Sequence, residues 1–254
     1  MNHLLEVCLI VLTLATSTSV AAEFPLVAAG NSFAGVWEGG EATAGATQPM
    51  QKGVSVKLPV SSNAVPLPDA DKADSLILSV THDGTVYVGV DPISPAVLAE
   101  KVKGDVSRRT GKKLYIKADA RTPYANVIKV LDAMRAAGVE ASDLLTSQRD
   151  SAESGTLVPP KGLEVLVGSR LPSDSDAAVV QVLNSRQRRP TLKINHEQVP
   201  WAALQSSLRQ LFQSRSEKVV LLKADGILPF VDVVDVTDTC RSMGVKVALV
   251  TPRP

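Results

Sequence analysis

The chain has 254 residues and a formal net charge of +1, because 27 Lys and Arg nearly balance 26 Asp and Glu. Only 4% of the residues are aromatic. This composition argues against a nucleic-acid-binding protein, which needs a basic surface and aromatic side chains that stack on bases. The two cysteines, Cys8 and Cys240, are far apart in the sequence, so no disulfide framework is expected.

The first 22 residues are largely apolar. Residues 4–15 read LLEVCLIVLTLA, and a weaker apolar stretch extends to residue 22. This segment is either a membrane-spanning helix, which needs about 17–20 residues, or a signal peptide with Val20-Ala21-Ala22 before its cleavage site. No Lys or Arg precedes Lys52, so neither alternative has the basic flank that is typical of it. Both alternatives remain open.

Glu6 is the candidate functional residue of the apolar segment. A carboxylate near the centre of a membrane helix costs about 2.5–3.5 kcal/mol, so such residues are usually retained for proton or ion transfer. The alternative is that Glu6 lies at the end of the helix, in the membrane interface, and has no role.

The rest of the chain contains an internal repeat. KADARTPYANVIKVLDAMRAAGV at 117–139 and KADGILPFVDVVDVTDTCRSMGV at 223–245 are identical at 10 of 23 positions, with a spacing of 106 residues. A duplication is the simplest explanation, and so long a period predicts two domains and not a solenoid.

These repeats define the predicted domain boundaries. We assign residues 53–147 to the first domain and residues 162–254 to the second. Residues 23–52 are rich in Gly, Ala and Thr and are predicted to form a flexible tether. Residues 148–161 are polar, contain Pro-Pro and are predicted to be a linker.

In the first repeat, apolar runs on either side of Asp83-Gly84 predict a β-hairpin. Pro95 and Pro123 occur where two helices are expected to begin, Thr122 is predicted to cap the second, and Gly138 is predicted to end it. The predicted elements are strands at 76–80 and 85–90, a helix from 95, a strand at 114–118, a helix from 123, and a strand near 144–146.

The second repeat predicts the same order of elements. Its strands are predicted at 179–183, 191–195, 219–224 and 245–251, with helices at 201–212 and 229–243. The predicted fold is therefore α/β: an N-terminal membrane helix followed by two tandem β-β-α-β-α-β domains, each with helices over one sheet.

No catalytic or metal-binding cluster is apparent in the sequence. His82 and His196 have no second His or Cys at ligand spacing, so no metal site is predicted. Asp119 and Asp225 end equivalent strands without a nearby base or nucleophile, and we interpret them as loop or capping residues. Cys240 is interpreted as a core residue. We therefore expect neither an enzyme nor a bound cofactor.

The order of these motifs resembles the ExbD/TolR family of proton-driven energy-transduction proteins. The similar segments are Leu4-Leu5-Glu6-Val7 at the start of the apolar stretch, GVSVKLP at 53–59, LSVTHDGTVYV at 78–88, and the strand–helix unit at 117–139. The resemblance implies a single-pass protein of the bacterial inner membrane with most of its chain in the periplasm. It also implies that Glu6 occupies the position of the proton-binding Asp of the family.

The same resemblance implies partners and a transport function. Proteins of this family sit with a multi-helix partner of the ExbB/TolQ type, and proton flow drives a periplasm-spanning protein of the TonB/TolA type. A homo-oligomer and a role in transmembrane transport are implied as well. The alternative is a secreted or tethered periplasmic binding or scaffold domain with no proton role. From the duplication we expect the two domains to pack as an internal pseudo-dimer.

Overall fold

The computed structural model describes residues 53–108, 113–148, 160–168, 177–215 and 217–251. Residues 1–52 lie outside the described residues, and with them the predicted membrane helix or signal peptide, the tether and Glu6. Within the described ranges, no helix combines the length and the apolar character that crossing a membrane requires.

The first repeat contains seven strands and two α-helices, together with a short 3₁₀-helix at Pro68–Asp71. They are β1 (Val60–Ser61), β2 (Val65–Pro66), β3 (Leu76–Val80), β4 (Val86–Val88), β5 (Asp91–Ile93), α1 (Pro95–Ser107), β6 (Leu114–Ala118), α2 (Tyr124–Ala136) and β7 (Ala141–Gln148).

The second repeat contains six strands and two α-helices among the described residues. They are β8 (Lys161–Leu166), β9 (Ala178–Leu183), β10 (Thr191–Ile194), β11 (Glu197–Val199), α3 (Leu204–Leu211), β12 (Val219–Ala224), α4 (Phe230–Arg241) and β13 (Lys246–Leu249).

The α/β prediction is confirmed, with differences in detail. Strands β1, β2 and β8 are not among the predicted elements, and the two repeats share one sheet where a separate sheet was predicted for each. Each repeat has one additional short strand after its predicted hairpin, β5 in the first repeat and β11 in the second. These two strands form the outer edges of the sheet. The helix predicted at 201–212 is instead a 3₁₀ turn at Trp201–Ala203 followed by α3 and a further 3₁₀ turn. Such turns are common at helix ends, and a hydrophobic pattern does not distinguish them from α-helix. In addition, Thr122 does not cap helix α2.

The strands of both repeats join in one mixed sheet. Its order in the described residues is β11-β10-β9-β12-β13-β8-β7-β6-β3-β4-β5. The repeats meet at its centre, where β7 pairs antiparallel with β8 from Ala141↔Leu166 to Thr146↔Lys161. Strands β1 and β2 add short pairings to β7 and β8.

The main hydrophobic core continues across this junction. Buried side chains of all four α-helices pack in one cluster with alternate residues of the strands, including Leu144 of β7 and Leu163 of β8. Because alternate residues of a strand face opposite sides, the helices cover one face of the sheet. On the other face, Leu67 and Ala70 cover Tyr115 in a smaller cluster. The two repeats are therefore halves of one folded unit.

Candidate functional site: the seam between the repeats

We use the term seam for the β7–β8 strand pair together with the two turns that precede α2 and α4. Pro123 and Pro229, which are equivalent in the repeat, form an antiparallel bridge. Four backbone hydrogen bonds cross between the turns in two equivalent pairs: Tyr124 N to Leu228 O (2.8 Å) with Phe230 N to Thr122 O (2.9 Å), and Ala125 N to Gly226 O (2.8 Å) with Val231 N to Ala120 O (3.0 Å). This reciprocal exchange relates the two halves by a local two-fold axis.

The crossing bonds explain why the prediction for Thr122 is wrong. Helix α2 begins at Tyr124, with Pro123 in the N-cap position and no side-chain cap. The buried Thr122 hydroxyl instead accepts a hydrogen bond from Asn126 Nδ2 at 3.3 Å. N–H groups in the first turn of a helix need partners from outside it, and here carbonyl groups of the other repeat supply them.

Arg135 of α2 binds the second repeat. Its Nε donates to the Val167 carbonyl at 3.0 Å, and its Nη2 donates to the Leu249 carbonyl at 3.4 Å. Its Nη1 also contacts the Thr251 hydroxyl. One guanidinium thus holds two segments of the second repeat against α2.

Asp238 of α4 binds the first repeat, just as Arg135 of α2 binds the second. Its Oδ1 accepts the backbone N–H of Asn63 at 2.8 Å, and its Oδ2 accepts the backbone N–H of Ser62 at 3.1 Å. The Asn63 side-chain amide also donates to Oδ2 at 3.1 Å. The second helix of each repeat therefore holds a segment of the other repeat.

Asp143 places a buried carboxylate in the strand pair. It is 2% exposed and lies directly opposite Glu164 in the β7–β8 register, with Lys113 Nζ at 3.5 Å. Burial raises the pKa of Asp143, Lys113 opposes the shift, and the negative charge of Glu164 adds to it. In the first repeat Asp143 pairs with Tyr115, and in the second repeat Ala248 pairs with Leu221, the residue equivalent to Tyr115. The second repeat therefore has Ala248 at the position of Asp143.

The two aspartates that end equivalent strands have different environments. Asp119 accepts hydrogen bonds from the backbone of Lys57 and Arg121 and from the Arg121 guanidinium, which holds the pKa of Asp119 well below its ordinary value. Asp225 accepts the backbone N–H of Asn184 at 2.7 Å. Both carboxylates bind loop backbone, in keeping with the interpretation from sequence.

The two histidines considered from the sequence lie in hairpin turns, and Cys240 lies in the core. His82 is exposed in the β3–β4 turn. His196 follows Asn195 in the β10–β11 turn, and both have positive φ, as a tight hairpin turn requires. Cys240 is fully buried, and burial raises its thiol pKa to about 12. The described ranges contain no group of three or more His, Cys, Asp and Glu that could hold a metal ion.

The sequence indicated neither the reciprocal contacts of Arg135 and Asp238 nor the position of Asp143. A partial signal existed, because Arg135 and Arg241 are identical in the aligned repeats, as are Asp132 and Asp238. The alignment does not show, however, that only one member of each pair reaches the other repeat.

Comparison with known proteins gives a family match to each repeat. A family model described as biopolymer transport protein ExbD/TolR matches residues 43–149 and, separately, residues 150–253. A search of curated proteins finds no match to the chain.

Proposed function

Because the chain belongs to the ExbD/TolR family of biopolymer transport proteins, we propose that it is a component of a complex that uses the proton motive force to energise transport or an envelope function. Members of the family generally work with ExbB/TolQ-type membrane proteins and TonB/TolA-type proteins, and they are typically anchored in the inner membrane. We propose the same partners for this chain, with its two repeats in the periplasm. The family consists of non-enzymatic transport components, and we assign no reaction to this chain.

The observation that supports this proposal best is the match of the family model to both repeats, which the structure joins through the seam. Crossing backbone bonds and a shared sheet make the halves one unit. We infer that one chain supplies the complex with a pair of family domains that a family member with one repeat would supply from two chains.

Glu6 is the proposed proton carrier. If it binds and releases protons, Glu6→Gln should assemble with the ExbB/TolQ-type partner but fail to support transport, whereas Glu6→Asp should retain function because it keeps a titratable carboxylate. Co-purification from detergent extracts measures assembly, and partner-dependent transport in the native host measures function. A fully active Glu6→Gln variant would refute the proton role.

The intact mass of the protein from isolated membranes should be measured before these variants are made. A chain that retains residues 1–22 supports the membrane-anchored component. A mature chain that begins at Glu23 lacks Glu6 and supports the alternative, a periplasmic binding or scaffold domain with no proton role.

A homo-oligomer also remains a prediction, and native mass spectrometry of the detergent-extracted complex counts the copies. The seam is closed within one chain, so a second copy must bind through another surface.

A further inference from the structure

The turn that joins β9 to β10 contains three exposed arginines, Arg186, Arg188 and Arg189. Within the described part of the chain, Arg186 and Arg188 take part in no ion pair. The equivalent turn of the first repeat is shorter and has no Lys or Arg, and its Asp83 accepts hydrogen bonds from Thr81 and Thr85. The arginines are therefore a property of the second repeat alone.

The backbone of this turn is held by hydrogen bonds. Ser185 Oγ accepts the N–H of Gln187 at 3.2 Å and donates to the carbonyl of Arg189 at 2.9 Å. At the start of the turn, the N–H of Asn184 binds Asp225 at 2.7 Å. A fixed turn presents its side chains at a small entropic cost on binding.

Arg189 anchors the end of the turn. Its guanidinium lies 4.9 Å from the ring centroid of Trp201 and 3.8 Å from Asp235. The Trp201 indole N–H donates to the Pro190 carbonyl at 2.8 Å. Because Arg189 makes these contacts, Arg186 and Arg188 are the arginines of this turn that remain available to a ligand.

We propose that this turn is a docking site for an acidic segment of a partner protein. Two guanidinium groups two residues apart suit successive carboxylates, with which arginine forms bidentate pairs. Ile227, which is 71% exposed, lies two residues beyond Asp225 in the sequence, and the Asp225 carboxylate binds the start of the turn. The inference is independent of the proton role of Glu6.

The local charge favours a peptide over an anionic membrane surface. Basic segments that bind such membranes usually contain about 4–8 Lys or Arg, whereas this turn has two available arginines. Asp225, Asp232 and Asp235 lie on the loop and helix next to it, and they would repel an extended anionic surface more than a short acidic segment that contacts only Arg186 and Arg188.

Trp201 provides a fluorescent reporter beside the turn. The chain has two tryptophans, Trp37 and Trp201, so Trp37→Phe leaves Trp201 as the only one. We would titrate the full chain with a tryptophan-free synthetic peptide that alternates glutamate and valine. A peptide with glutamine in place of glutamate is the control ligand, and vesicles of phosphatidylglycerol and phosphatidylcholine test the membrane alternative.

The double variant Arg186→Gln/Arg188→Gln should weaken peptide binding about tenfold, as expected for the loss of two partly solvated ion pairs. The matched control, Arg209→Gln/Lys218→Gln, removes the same charge at the opposite end of the second repeat and should bind like the parent. The proposal is overturned by equal losses in both variants, by equal binding of the two peptides, by the absence of peptide binding, or by binding of vesicles alone.

Discussion

Arg135→Ala is expected to destabilise both halves of the protein together, because Arg135 is a side chain of one repeat that binds main-chain carbonyls of the other. The two bonds, to Val167 at 3.0 Å and Leu249 at 3.4 Å, come from a charged donor. Such bonds contribute about 1.5–3 kcal/mol each. The Arg135 side chain is 26% exposed, so water can replace part of this interaction. We therefore expect a loss of about 2–3 kcal/mol in the free energy of unfolding.

Arg241→Ala is the matched control, since Arg241 is the equivalent residue of the second repeat. In the described part of the chain its side chain forms no hydrogen bond or ion pair, and its charge makes only the smallest contribution to the pKa of Asp143. Its replacement should change the free energy of unfolding by less than about 0.5 kcal/mol, the usual range for a surface substitution.

Equilibrium unfolding in urea, followed by far-ultraviolet circular dichroism and, in a Trp37→Phe background, by Trp201 fluorescence, measures both variants. The parent should show one transition that is coincident by both probes, since a shared sheet and core should unfold cooperatively. Equal stability of the two variants would contradict the role given to Arg135. Two separate transitions in the parent would contradict the coupling of the repeats through the seam.

Three further substitutions test two buried polar groups near the seam. Tyr124 has a buried hydroxyl with no hydrogen-bond partner among the described residues, so Tyr124→Phe should raise the free energy of unfolding by about 1 kcal/mol, while Phe230→Tyr at the equivalent position should lower it; equal effects of the two would refute this. Asp143 holds its proton to a higher pH in the folded protein than the ordinary pKa of 3.8, so its ionisation reduces stability as the pH rises through that window. Asp143→Asn should therefore match the parent below about pH 3.8 and be more stable at neutral pH, because a neutral amide avoids the cost of burying a charge, which outweighs the lost attraction to Lys113; an unchanged pH dependence of stability would contradict this assignment.

The sequence predicted local structure well wherever the signal was local. The apolar run at Leu114–Ala118 is the observed strand β6, and glycines with positive φ, Gly138 and Gly244, follow helices α2 and α4 as expected. The short strand β5 was missed because it has only three residues and Pro92 at its centre. Its position at the sheet edge depends on pairing with β4, which a hydrophobic pattern does not reveal.

The candidate site was less predictable because each of its parts depends on contacts between distant residues. Thr122 has the sequence features of an N-cap, but the first-turn N–H of Tyr124 binds a carbonyl more than 100 residues away in sequence. Asp143 directly precedes the apolar pair Leu144-Leu145, and its burial and its opposition to Glu164 follow from the pairing of β7 with β8. Position in the sequence alone does not specify that pairing.

The closure of the seam within one polypeptide has an evolutionary consequence. In a symmetric dimer of identical chains, every substitution occurs twice, once in each half. A fused pair is free of this constraint, and each half can diverge while the shared interface persists. The turn with three arginines and Ala248 in the second half, where the first half has a turn with one aspartate and Asp143, are differences of this kind. Gene fusion thus allows one half to acquire a specialised surface while the other conserves the ancestral one.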